Sequence, residues 1–228
     1  MGIIAKPLGW LMTWLYGIIG NYALVIILLT VAIKVILYPV YKNHILSTAN
    51  MTEIQPKVQE IQRKYAKDKE TMNQKLAELY QEENYNPAKG CMPMIVQMIV
   101  IMALFTVLRN PMTYMSNEAM YFAIHESFLW IKDLSQPDLW ILPILAGVTT
   151  FLSQYLSTAT NPNSNNSTNM MMKSMMYFFP IMIVWLARSY PSGLALYWFI
   201  GQFVQIFFNL RLNKVRKALK NKNKKGKK

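Results

Sequence analysis

Apolar residues dominate Tyr22–Lys42, YALVIILLTVAIKVILYPVYK. The run is long enough to cross a bilayer, since a spanning helix needs about 20 mostly apolar residues. Pro39, near its end, can bend the exit of the helix. Four more apolar runs follow, so the pattern predicts spans over 21–42, 91–109, 139–158, 170–189 and 190–210. Pro180 can kink the fourth. Tyr190-Pro191-Ser192-Gly193 forms a tight turn before the fifth, with Pro191 suited to the first turn of the last helix. Residues 1–20 are apolar too, but Pro7, Gly9 and Gly17 break them. Trp10, Trp14 and Tyr16 belong where one ring edge is wet, so a short amphipathic helix lying in the interface is expected. A signal peptide is the competing reading. Lys6 is its whole basic region, however, and no small-x-small cleavage site precedes Asn21.

Between the first two spans the pattern changes. Residues 43–90 are rich in Lys, Glu and Gln, and their apolar residues step by three or four: Ile54, Val58, Ile61, Tyr65, then Met72, Leu76, Leu79. Two narrow stripes of this kind predict a helical hairpin with a coiled-coil-like seam. It turns near Lys67-Asp68-Lys69 and stops at Asn86-Pro87. Either a solvated helix pair or a docking arm for a partner fits it. The loop 110–138 carries Tyr114, Tyr121, Phe122, Phe128 and Trp130 and is expected to hug the interface. Residues 159–169 form a polar, low-complexity loop.

Composition agrees. Of 228 residues 53% are hydrophobic and 15% charged, against roughly a quarter charged in soluble domains. Cys91 is the single cysteine, which excludes an intrachain disulfide. No HExxH, CxxC, Walker or GxSxG pattern occurs, and no metal or cofactor is expected. The net charge of +13 is uneven: 19 of the 24 Lys and Arg fall in 42–90, 159–173 and 211–228. By the positive-inside rule the N-terminus is outside and the C-terminus cytoplasmic. Residues 211–228 hold ten Lys/Arg and no acid, which predicts a disordered cationic tail.

The candidate chemistry is polar residues inside the spans: Thr30, Lys34, Gln97, Thr149, Ser153, Gln154, Gln202 and Gln205. At about 1.5 Å per residue, Lys34 lies roughly 18 Å from Tyr22 and about 12 Å from Lys42. A charge at that depth costs roughly 2.5–3.5 kcal/mol on insertion scales. No Asp or Glu occurs in any span, so an ion pair cannot compensate it. Water must solvate Lys34, or its stem must snorkel toward the cytoplasm. Each glutamine alone reads equally as interhelical glue. Together these residues imply a hydrated cavity in the inner part of the membrane. The 17 methionines, with the run Met170–Met176 holding five of them, suit either core filling or an adaptable binding surface.

At this point the chain resembles the YidC/Oxa1/Alb3 family of membrane protein insertases, of the short, Gram-positive-like bacterial type without a large exported domain. The segments that carry the resemblance are VIILLTVAIKVILYPVYKNH, MTEIQPKVQEIQRKY, NPAKGCMPMIVQM, LWIKDLSQPDLWILPILAGVTTFLSQ and YPSGLALYW, in order over residues 20–212. It implies an all-α integral membrane protein of five transmembrane helices around a hydrophilic groove, with a cytoplasmic hairpin and an N-terminal interfacial helix. The groove opens to cytoplasm and lipid, and its positive charge draws in the hydrophilic segment of a nascent membrane protein. Lys34 stands where the family usually has arginine; Gln154 and Trp198 stand where the groove is lined. Lysine loses its charge on desolvation more readily than arginine, so groove water matters more here. Short members are often lipoproteins, yet no cysteine precedes Cys91, so this chain either lacks that anchor or is trimmed.

The resemblance also implies partners: nascent membrane proteins, the Sec translocon and the signal recognition pathway. The basic residues Arg211, Lys214, Arg216, Lys217 and Lys220 are expected to contact ribosomal RNA or anionic membrane lipids, either of which salt should weaken. A functional monomer in the bacterial plasma membrane is expected, and no catalysis. The rival reading is a small-anion channel or transporter, for which inverted repeats are expected and five unequal spans offer none. An intramembrane enzyme fits less well, because Ser192 lies in an outer turn far from Lys34.

Overall fold

The computed structural model describes residues 2–83, 85–86, 88–114, 118–158 and 166–226. Among them the chain forms ten helices: α1 (Gly2–Ile19), α2 (Tyr22–Ile36), α3 (Tyr38–Lys64), α4 (Lys69–Glu82), α5 (Ala88–Arg109), α6 (Pro111–Tyr114), α7 (Glu118–Ala123), α8 (Ile141–Thr158), α9 (Asn166–Ser189) and α10 (Ser192–Gly226). The polar loop 159–165 and Pro87 lie outside the described residues.

The core forms where α10 packs on α8 and α2, α8 on α9, and α1 on α5 and α2. Tyr22, Val25, Ile26, Leu29, Leu104, Leu142, Leu196 and Tyr197 are buried there. Large apolar side chains point outward around it, among them Trp14, Val35, Phe178, Trp185 and Phe207. That inside-out distribution suits a lipid surround. By length and hydropathy α1 and Ser192–Val215 could each cross a membrane, and α2, Ile95–Arg109, Ile141–Ser157 and Met176–Ser189 are shorter apolar helices.

Residues 2–19 form a helix where one is expected, and it runs straight through Pro7. Proline removes one backbone donor, and the packing of Ala5, Gly9 and Met12 against neighbours offsets that loss. Gly9 is needed there, since a Cβ would collide with the Tyr114 backbone. The first span stops at Leu37, and α3 restarts at once with Pro39 in its first turn, running on to Lys64. The basic tail is helical to Gly226 rather than disordered. No glycine or proline interrupts it from Phe203 to Asn223, and extending an existing helix avoids the nucleation cost.

The hairpin turns at Tyr65–Lys67. Asp68 caps α4, accepting from the Thr71 N–H at 3.1 Å and the Thr71 hydroxyl at 2.6 Å. Ile54, Val58 and Leu79 of the seam are buried, while Ile61, Tyr65, Met72 and Leu76 are half-buried. Lys57 pairs with Glu83 across the arms at 2.5 Å, an exposed contact of small energetic worth.

At the opposite end, residues 124–140 cap the bundle. Glu126 accepts from the Tyr22 N–H at 2.7 Å, at the start of α2, and from the Tyr16 hydroxyl. Asp138 caps α8 through the N–H groups of Trp140 and Leu142. The Leu134 and Gln136 carbonyls accept from the N–H groups of Gly193 and Ser192, and the Ser192 hydroxyl also donates to Gln136. Orphan donors of three helix starts are thus satisfied by one loop.

Candidate functional site

Lys34 ends α2 on the side turned toward α5 and α10. Its residue is 3% exposed, so the ammonium does not reach bulk solvent. Nζ donates to the Tyr41 hydroxyl and to Gln97 Oε1, each at 3.2 Å. It also lies 4.9 Å from the centroid of the Tyr41 ring, a cation–π distance. The Tyr41 hydroxyl donates to Gln97 Oε1 at 3.2 Å, and Gln97 Nε2 donates to the Tyr197 hydroxyl at 3.0 Å. Four helices therefore meet in one polar chain: α2, α3, α5 and α10. The ammonium is held by neutral oxygens of the protein, those of Tyr41 and Gln97, a correction to solvation by water alone.

These groups form one wall of a cavity of about 210 Å³, lined by Lys34, Tyr41, Gln97, Met98, Ile101, Phe179, Trp198, Gln202 and Gln205. Trp198, Gln202 and Gln205 share a face of α10, being separated by four and three residues. Gln202 Oε1 accepts from the Ser153 hydroxyl at 2.9 Å, and Asn209 Nδ2 donates to the Ser153 carbonyl at 2.8 Å. These bonds tie α10 to α8 behind the cavity.

Of the nine residues the sequence singled out for the groove, Lys34, Gln97, Trp198, Gln202 and Gln205 line this cavity. Thr30, Thr149, Ser153 and Gln154 do not. The Thr30 and Thr149 hydroxyls turn back to their own helices, donating to Ile26 at 2.6 Å and to Leu145 at 2.8 Å. Ser153 acts through Gln202. Tyr41 and Tyr197 were missed. Tyr41 stands seven residues beyond Lys34, a helical repeat that would have marked it; nothing local marks Tyr197.

In the basic tail, Arg211 lies 6.0 Å from the Tyr38 ring centroid, and Lys214 is exposed. The side chains of Arg216, Lys217 and Lys220, and those of Met170–Lys173 and Met175, lie outside the described residues.

A family model described as 60Kd inner membrane protein matches residues 14–221. The chain belongs to that family. Within it, the membrane protein insertase YidC of Oceanobacillus iheyensis is 40% identical over 226 residues, covering 96% of this chain and 85% of the relative. YidC 2 of Listeria innocua is 36% identical over 218 residues, covering 92% and 70%. YidC of Haemophilus influenzae is 39% identical over 206 residues, but this chain spans 35% of that relative's length. A crystal structure of an active YidC insertase with its first transmembrane domain resolved matches with a TM-score of 0.62 and 29% identity, over 90% of this chain and 45% of the other. As a member of the 60Kd inner membrane protein family, the chain is an all-α membrane protein. Its Lys34 cavity lies within the region that the family model matches.

Proposed function

We propose that this chain is a membrane protein insertase that receives the hydrophilic segment of a nascent membrane protein in the Lys34 cavity. The observation that carries this reading is a buried cation facing a cavity in a chain whose relatives are named insertases. A polar segment crossing hydrocarbon loses its water and its hydrogen bonds. A cavity of polar side chains partway through the bilayer shortens that apolar path. Lys34 attracts carboxylates on the segment. Burial of the client's own apolar helix in lipid then supplies the driving force, at roughly 25 cal/mol per Å² of apolar surface, with no nucleotide required. The reading takes the hairpin and tail to be cytoplasmic, in line with their Lys and Arg content.

A photo-crosslinker at Trp198 tests this with a stalled nascent chain. Capture is expected from Trp198 and not from Trp185, which is 67% exposed on the outer face of α9. Anion conductance in liposomes, with no capture from Trp198, would replace the reading with a channel. The basic stretch from Arg211 through Lys220 is proposed to contact ribosomal RNA. Co-sedimentation with ribosomes should then fall as salt rises; salt-independent co-sedimentation would remove that role.

A further inference from the structure

The cavity wall on α10 holds two buried polar atoms that no protein group satisfies among the described residues: Trp198 Nε1 and Gln205 Oε1. Both residues line the cavity. One is a donor and the other an acceptor. They stand seven residues apart on one helix face, about 10.5 Å along its axis. Each has neighbours that are already engaged. Gln202 Oε1 is taken by Ser153, and Gln205 Nε2 donates to Asn209 at 3.2 Å. On the facing wall, Lys34 commits two of its three N–H groups to Tyr41 and Gln97.

This set is more selective than a positive charge alone. A carboxylate accepts hydrogen bonds and cannot donate one. It suits Lys34 and the Trp198 N–H, but offers nothing to the Gln205 carbonyl. A small inorganic anion without a proton, such as chloride or sulfate, fails at Gln205 for the same reason. A ligand that satisfies both orphans must present acceptors and donors along its length. A peptide main chain does so at every residue except proline, whatever its side chains are.

We propose that the cavity binds the main chain of its client, with the Trp198 indole N–H donating to a client carbonyl and Gln205 Oε1 accepting from a client amide. The proposal rests on the insertase reading and adds to it the mode of recognition. Lys34 then sets the preference for acidic segments, and the α10 pair sets tolerance of sequence. Water that enters is displaced by groups that reproduce its hydrogen bonds, so neutral polar segments are accommodated too.

The test is a cycle between protein and client in a cell-free insertion reaction with the full chain in liposomes. Trp198 is replaced by benzothienylalanine, which keeps the ring shape and removes the N–H, and Gln205 by Gln205→Met. The client carries an uncharged Gly/Ser/Asn segment, scanned with single hydroxy acids that turn one amide into an ester. A crosslinker at Met98 reports occupancy of the cavity throughout. With wild-type protein, one or two ester positions should lower Met98 capture and insertion about three- to tenfold, the range of one lost hydrogen bond. The same esters should cause no further loss in Gln205→Met. The benzothienylalanine protein should lose a similar factor for neutral and acidic clients alike. Ester effects that are absent, or that multiply fully with Gln205→Met, would overturn main-chain recognition while Met98 capture keeps the insertase reading intact. Loss of all capture from Met98 in the wild type would instead sink the insertase reading itself.

Discussion

The Lys34 ammonium lies 3.2 Å from Gln97 Oε1, a contact between α2 and α5 made by residues 63 apart in sequence. It replaces the missing carboxylate with a neutral acceptor. A carboxylate would cancel the charge. An amide oxygen orients the ammonium and leaves its net charge uncancelled.

Lys34→Arg should retain insertion of a client with an acidic translocated segment. Lys34→Ala should lower it, and Lys34→Glu should lower it further. Unit charges about 4 Å apart attract by about 4 kcal/mol at an effective dielectric of 20. A third of that is tenfold in rate or affinity. Growth of a depletion strain and the rate of protease protection of the client measure this, and full activity of Lys34→Glu would remove the electrostatic role.

Gln97→Leu leaves the ammonium with Tyr41 as its described oxygen partner and should destabilise the detergent-solubilised protein by about 1.5–3 kcal/mol, the worth of a hydrogen bond to a charged group. Adding Lys34→Met should restore most of that stability, since removing both partners is better tolerated than removing one. Insertion should stay impaired in the double variant. Thermal unfolding and insertion measured on the same preparations separate the two effects.

Gly147 of α8 faces α9, where an added Cβ would run into Val184 Cγ2. Gly147→Ala should cost about 1–3 kcal/mol by overpacking, and Val184→Ala should return most of it. If Gly147→Ala is neutral alone, the close approach of α8 and α9 is not what the geometry indicates.

Asp138 provides a pH test at the end opposite the hairpin. Burial alone would raise its carboxyl. The N–H groups of Trp140 and Leu142 and the Trp130 indole outweigh burial and hold it below the ordinary carboxylate value. A group depressed on folding contributes stability above its unfolded value, near 3.9. That contribution disappears as pH falls through the folded value. Asp138→Ala should therefore cost about 1 kcal/mol near neutrality, as a lost cap does. The gap from wild type should close progressively below about pH 4. A gap that persists unchanged at pH 2 would assign the effect to packing.

Hydrophobic patterning and charge placement were enough to reveal apolar spans, a hairpin with its turn beside Asp68, and a lysine with no acid to meet it. Those features follow from composition over short windows, where burial in lipid or along a seam demands a fixed period. The same patterning misjudged 211–226, because like charges were outweighed by helix continuation. Which polar side chains converge was decided by tertiary structure. Thr30 and Thr149 look as polar as Gln97, yet their hydroxyls reach the carbonyl four residues back, a bond available in any helix. Gln97 is too long for that economy and reaches across to Lys34 and Tyr197. Periodicity states which face a residue occupies; only the packing of α2, α3, α5 and α10 states what stands opposite.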